Sequence, residues 1–145
     1  MSSRPIVILL AEDNPGDRRF TSLMLEESGL EVDLRHVEDG QQLMDYLHHR
    51  GAYNDPATAP HPGLILLDLH MPRKDGREAL EEIKADPRLQ AIPIVVLTGS
   101  EEDNDKWQSF DLRVSHYLVK PVDAKVLPEL IRDFGFYWQS IQHNA

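Results

Sequence analysis

The strongest constraint on what this chain can fold into is a set of short apolar runs that recur with helix-period segments between them. The runs are Ile6 to Leu10, Val32 to Val37, Leu64 to Leu69, Ile92 to Leu97 and His116 to Val119. The first, third and fourth are near-continuous Ile, Val and Leu, which is how strands read when both faces are covered, as in a parallel sheet. Val32 to Val37 is weaker, because charged residues break its alternation.

The intervening segments carry helix signals. Asn14 as N-cap and Pro15 at the first helical position precede Phe20, Leu23 and Met24, predicting a first helix of about fourteen residues. Leu43, Tyr46 and Leu47 mark a second. Asp75 followed by Glu78 has the spacing of a capping box ahead of Leu80 and Ile83, and Asp86-Pro87 ends that third helix. Ser100 to Asp103 starts a fourth, around Trp107 and Phe110. Asp123 caps the last, whose apolar stripe is Val126, Leu127, Leu130, Ile131 and Phe134. The order is β-α five times over, which predicts an α/β fold: a doubly wound, five-stranded parallel sheet with helices on both faces. At 145 residues the chain is expected to be one domain. Residues 50–63, rich in Pro, Ala and Gly, read as an extended surface loop before the third strand.

Composition narrows the function. A net charge of −10 repels phosphate backbones and anionic lipid, so neither nucleic acid nor a membrane surface is an expected partner. The chain has no cysteine, which removes thiolate metal sites, thiol nucleophiles and disulfides. No apolar run reaches secretory or membrane-spanning length, and the expected location is cytoplasmic.

In an open α/β sheet, ligands bind beyond the carboxyl ends of the strands. The residues there are Glu12 and Asp13 after the first strand, Asp68 after the third, Thr98 after the fourth, and Lys120-Pro121 after the fifth. Three carboxylates gathered at one edge repel one another, and a hard divalent cation such as Mg²⁺ resolves the conflict. With Glu12, Asp13 and Asp68 around the metal, an Asp68 oxygen can attack a phosphoryl group. Lys120 then neutralises the phosphoryl oxygens and Thr98 donates a hydrogen bond to them. The chemistry predicted is phosphoryl transfer to a carboxylate.

These residues carry a resemblance. AEDNPGD, LILLDLHMPRKDG, VVLTGS and YLVKP resemble the response-regulator receiver family over nearly the whole chain, with family-like spacings of 30 residues from Asp68 to Thr98 and 22 from Thr98 to Lys120. The resemblance implies a CheY-like, flavodoxin-like (βα)5 fold with Asp68 as phosphoacceptor. Its metal ligands are Glu12, Asp13, Asp68 and the His70 backbone carbonyl. It also implies Thr98 and Lys120 as phosphoryl partners, Thr98 and Tyr117 as the switch pair, and a cis Lys120-Pro121 peptide. His70 stands where Asn is common, Glu12 where Asp is common, and Gly99 where Ala is frequent. The long loop, DLHMPRKDGREALEEIK, WQSFDLRVSHYLVKP and the ending FGFYWQS look more narrowly like the stand-alone regulators that partner bacterial and cyanobacterial phytochrome kinases. In that group terminal aromatics form a dimer contact.

The leading function is therefore a phosphorylation switch. A histidine kinase, phytochrome-type by the narrower resemblance, phosphorylates Asp68, and the face formed by the fourth helix, fifth strand and fifth helix reorganises. The alternatives are a flavodoxin-like FMN carrier, whose first loop here carries two acids that repel a flavin phosphate, and a receiver-shaped interaction module that is never phosphorylated. A haloacid-dehalogenase-like phosphatase would need a second Asp where His70 stands. The isolated histidines are assigned no chemistry. Residues 134–145 read as an aromatic C-terminal extension: Phe134, Phe136, Tyr137 and Trp138 are four of the chain's ten aromatics, and adjacent helical positions cannot all face one core. An interface, and so a homodimer, is preferred over a tail folded back on its own domain.

Overall fold

Five runs of the chain become strands because their side chains have apolar cover on one or both faces. The computed structural model describes residues 5–71, 74, 76–108 and 113–133. The strands are β1 (Ile6–Ala11), β2 (Val32–Val37), β3 (Leu64–Asp68), β4 (Ile94–Thr98) and β5 (His116–Val119). The helices are α1 (Pro15–Glu27), α2 (Gly40–Leu47), α3 (Gly76–Ala85) and α4 (Glu101–Gln108), with a last helix, α5, over 126–133. All strand pairs are parallel and the sheet order is β2-β1-β3-β4-β5.

The near-continuous apolar runs are the central strands, as expected. Every residue of β3 and β4 is buried, and alternate side chains serve opposite faces. Leu9, Ala11, Ile65, Leu67, Ile94 and Val96 pack against α2 and α3, through Leu43, Met44, Leu47, Leu80 and Ile83 among others. Ile8, Leu10, Leu64, Leu66, Val95 and Leu97 pack on the other face against Met24 and Leu25 of α1 and Leu127 and Ile131 of α5. At roughly 1.5–3 kcal/mol for each fully buried large aliphatic side chain, these two layers are the main source of stability.

Local signals placed most helix ends. Asn14 accepts from the Asp17 N–H (3.0 Å), Asp39 from Gln42 (2.7 Å) and Ser100 from Asp103 (3.1 Å), capping α1, α2 and α4. Gly29, at φ +76°, takes the left-handed conformation just beyond the end of α1. At the last helix Asp123 Oδ1 accepts from Lys125 N–H (2.7 Å), but a turn intervenes and the helix begins only at 126. Val126, expected in the apolar stripe, is 39% exposed. Asp75 and Phe110 lie outside the described residues, as do Phe134, Phe136, Tyr137 and Trp138 of the expected dimer contact.

The Pro-rich connection is a long, largely exposed loop, as expected, anchored at its far end. It forms a short 3-10 turn at Gly51–Tyr53 and then folds down on α2. Tyr46 donates its hydroxyl to the Pro60 carbonyl (2.7 Å), His49 Nε2 lies 2.9 Å from the Ala59 carbonyl, and Ala59 is fully buried. Burial pushes the Tyr46 phenol up to about 12, which keeps the donor protonated.

Candidate functional site

Strand register assembles the site. Ala11 pairs with Leu67, so Glu12, one residue on, stands beside Asp68. Asp68 pairs with Leu97 and Thr98 with Val119, which brings Thr98 and Lys120 to the same edge. The Lys120 N–H donates to the Thr98 carbonyl (2.8 Å), and the Lys120-Pro121 peptide is cis, as the resemblance implied. The strand order reverses direction at β1 and β3, so the crevice opens where Glu12 and Asp68 sit.

The side chains converge. Ligand oxygens of Glu12, Asp13 and Asp68 all lie within 4.8 Å of one another; Glu12 and Asp68 are buried and Asp13 is exposed. Lys120 Nζ donates to Glu12 Oε1 (2.5 Å), Asp68 Oδ2 (2.8 Å) and Asp17 Oδ2 (3.0 Å). The His70 N–H donates to the other Asp68 oxygen, Oδ1 (2.9 Å). That bond directs the phosphoacceptor candidate's carboxylate. Thr98 is fully buried and its Oγ1 lies 3.5 Å from the Leu118 carbonyl oxygen. Tyr117 is half-buried on β5 and packs with Trp107 and Val114 against the α2/α3 side of the core.

Charge is unevenly shared here. Burial, then hydrogen bonding with Asp68, pushes the Glu12 carboxyl up to about 8, against the pull of Lys120. Burial by itself would lower the Lys120 ammonium, but hydrogen bonds to Asp68, Glu12 and Asp17 outweigh it and raise its pKa above the ordinary lysine value. Two buried carboxyls and an exposed one, with all-oxygen donors and a crowded negative potential, suit a hard divalent cation.

Three features of the site were not legible along the chain. Asp17 reads locally as an acid in the first turn of α1, favourable to the helix dipole, yet its carboxylate reaches Lys120 across 103 residues. Gly76 reads as an ordinary helix start, yet a Cβ there would come within 2.6 Å of Leu69 Cα and 2.8 Å of the Asp68 carbonyl oxygen. Only glycine lets α3 begin so close to the end of β3. His70, expected to be inert through its ring, lies with Nε2 3.2 Å from Asp103 Oδ2 of α4. All three lie within the motifs AEDNPGD and LILLDLHMPRKDG, but hydrophobic periodicity and spacing along the chain do not reveal these contacts.

Residues 8–132 match the response regulator receiver domain. The chain belongs to the response-regulator receiver family. Response regulator Rcp1 of Synechocystis sp. is 41% identical over 137 residues, covering 94% of this chain and 91% of that protein. Among solved structures, bacteriophytochrome response regulator RtBRR superposes with a TM-score of 0.81 at 38% identity, covering 90% of this chain and 78% of that one. The phosphorylated cyanobacterial phytochrome response regulator RcpA superposes with a TM-score of 0.74 at 40% identity, covering 94% and 96%. Rcp1 has also been solved in a Mn²⁺-bound form. The receiver fold expected from the sequence is thus the fold found, and the protein is a response regulator of a two-component phosphorelay. Receiver domains take a divalent ion, and Glu12, Asp13 and Asp68 form an acidic trio able to hold one. Among the described residues no helix is long and apolar enough to cross a membrane.

Proposed function

We propose that Asp68 is the phosphoacceptor, that Mg²⁺ is the ion it works with, and that a phytochrome-type histidine kinase is the donor. The observation that carries the chemistry is the Asp68 carboxylate itself: Oδ1 is held by the His70 N–H and Oδ2 by Lys120, at the mouth of the crevice beside two further acids. Glu12, Asp13, Asp68 and the His70 carbonyl would hold the ion, which when bound supplies positive charge for the phosphoryl oxygens. The Asp68 carboxylate attacks the phosphorus of a phosphohistidine; the new O–P bond forms as the N–P bond breaks, and the imidazole leaves with the electron pair. Lys120 follows the incoming negative charge, and Thr98 must turn its hydroxyl from Leu118 to donate to a phosphoryl oxygen. Tyr117, on β5 two residues before the Val119 that pairs with Thr98, fills the space so vacated, and the α4-β5-α5 face changes shape.

The partner reading rests on likeness to regulators described as phytochrome or bacteriophytochrome partners. A symmetric homodimer through Phe134, Phe136, Tyr137 and Trp138, on an extension over 134–145 of one receiver domain, completes it. Neither nucleic acid nor membrane is part of the reading, and the protein works in the cytoplasm as a phosphoacceptor and not as an enzyme with a separate substrate. A small phosphodonor should add one phosphoryl group only with Mg²⁺ present, seen by intact mass. Asp68→Asn should abolish it; persistent labelling of that variant refutes the assignment, and an unlabelled parent identifies a phosphorylation-independent module.

A further inference from the structure

The Lys120 ammonium and a divalent cation want the same oxygens. Lys120 uses all three of its donors on carboxylates, and two of those, Glu12 and Asp68, belong to the trio whose ligand atoms lie within 4.8 Å of one another. An ion entering that trio meets a positive charge already seated on it, and two like charges so close in a half-buried site repel strongly. The third partner differs. Asp17 is not among the carboxylates close enough to share the ion, it sits on the first turn of α1, and its side chain is 46% exposed while those of Glu12 and Asp68 are 1% and 6% exposed. Its backbone N–H is tied to Asn14 Oδ1 at 3.0 Å, so the helix cap fixes where the carboxylate starts.

We propose that Asp17 is a positioning residue for Lys120: it takes the ammonium when the divalent ion claims Glu12 and Asp68, and holds it within reach of the Asp68 oxygens. The site therefore has two arrangements of the same lysine. Without the ion, Lys120 neutralises the trio and Asp17 is its outermost contact. With the ion, Asp17 becomes the main contact, and the ammonium stays at the crevice instead of being expelled to solvent. Asp17 thus lowers the cost of loading the ion and keeps the lysine ready for a phosphoryl group. This role rests on the receiver reading of the site, but its test does not pass through phosphorylation.

The experiment is a calorimetric Mg²⁺ titration of the whole chain as parent, Asp17→Asn, Lys120→Met and the double variant. Asp17→Asn should weaken Mg²⁺ binding about tenfold, the scale of one charge-assisted hydrogen bond discounted for exposure. In the Lys120→Met background the same substitution should change binding by less than about twofold, because with no ammonium to receive only remote charge is lost. An equal loss in both backgrounds, or none in the first, overturns the proposal. A second readout compares the parent with Asp17→Asn: the Lys120 Nζ proton signal in NMR should persist at saturating Mg²⁺ in the parent, and should vanish into exchange with water in Asp17→Asn. Disappearance of that signal in the parent on adding Mg²⁺ also overturns it. A parent that binds Mg²⁺ but takes no phosphoryl group refutes the Asp68 assignment, while the role of Asp17 is still decided by these titrations.

Discussion

Substituting Lys120 by Met removes a cation bonded to three carboxylates and nearly preserves the length of the stem. In the protein without divalent ion this leaves Glu12 and Asp68, whose side chains are 1% and 6% exposed, without their shared ammonium partner. Breaking one side of a buried ion pair commonly costs about 3–5 kcal/mol. The ammonium retains 21% exposure, and Asp17 already lies half in solvent, so screening places the loss at the low end, about 3 kcal/mol. With a urea slope of about 2 kcal/mol/M for a domain of this size, the unfolding midpoint in EDTA should fall by roughly 1.5 M. Saturating Mg²⁺ should reverse most of that fall, because the ion supplies the missing charge and no longer competes with the lysine for oxygens. Urea denaturation followed by tryptophan fluorescence and far-UV circular dichroism, with and without Mg²⁺, measures both numbers. A midpoint change below about 0.5 M in EDTA would mean that Lys120 behaves as a surface lysine. The same loss with and without the ion would mean that lysine and metal do not share oxygens. Either result refutes the charge argument.

Further outcomes follow from the same geometry. Glu12 has a folded-state value raised from 4.5 to about 8, so its contribution to metal-free stability is present below about pH 4.5 and lost as pH rises through about 8. Mg²⁺ favours the carboxylate, so the stabilisation gained on adding it should grow from pH 6 to pH 8.5 in thermal melts, and a gain that is flat with pH would contradict the shift. Tyr46→Phe leaves the Pro60 carbonyl without its 2.7 Å donor and should cost about 1 kcal/mol, roughly 2–4 °C in calorimetry, with the loop at 54–62 gaining the most hydrogen exchange. Phe136→Ala combined with Trp138→Ala should give a folded monomer that still accepts phosphate at Asp68. Light scattering over a dilution series checks this, and a parent that is monomeric at high concentration with and without phosphate removes the dimer.

The strands and the site edge were legible along the chain because they rest on properties local to it. A doubly covered strand must be apolar on both faces, as β3 and β4 are at every position except the terminal Asp68 and Thr98, so polar residues at those strand ends stand out. Helix starts at Asn14 and Ser100 could be read because a cap is a bond between near neighbours. The long surface loop before β3 was legible, but Pro, Ala and Gly composition does not reveal that Ala59 finds a buried seat or that Tyr46 reaches Pro60. Val126 was misjudged because it is the first residue of α5, at the edge of a stripe that Leu127 and Ile131 bury as expected.

What the sequence determined by itself is therefore the order of elements, the parallel sheet they build, and the four strand ends whose acids, threonine and lysine make phosphoryl chemistry possible. The tertiary structure alone decided how those groups share charge. Register set Glu12 beside Asp68, burial raised the Glu12 carboxyl, and the approach of α1 to β5 gave Lys120 a third carboxylate in Asp17. It also set Gly76 against the Asp68 carbonyl and drew the His70 ring to Asp103. The physical reason is range: periodicity and capping act within a few residues, whereas Coulomb interaction and close contact act through space and do not depend on how much chain separates the partners.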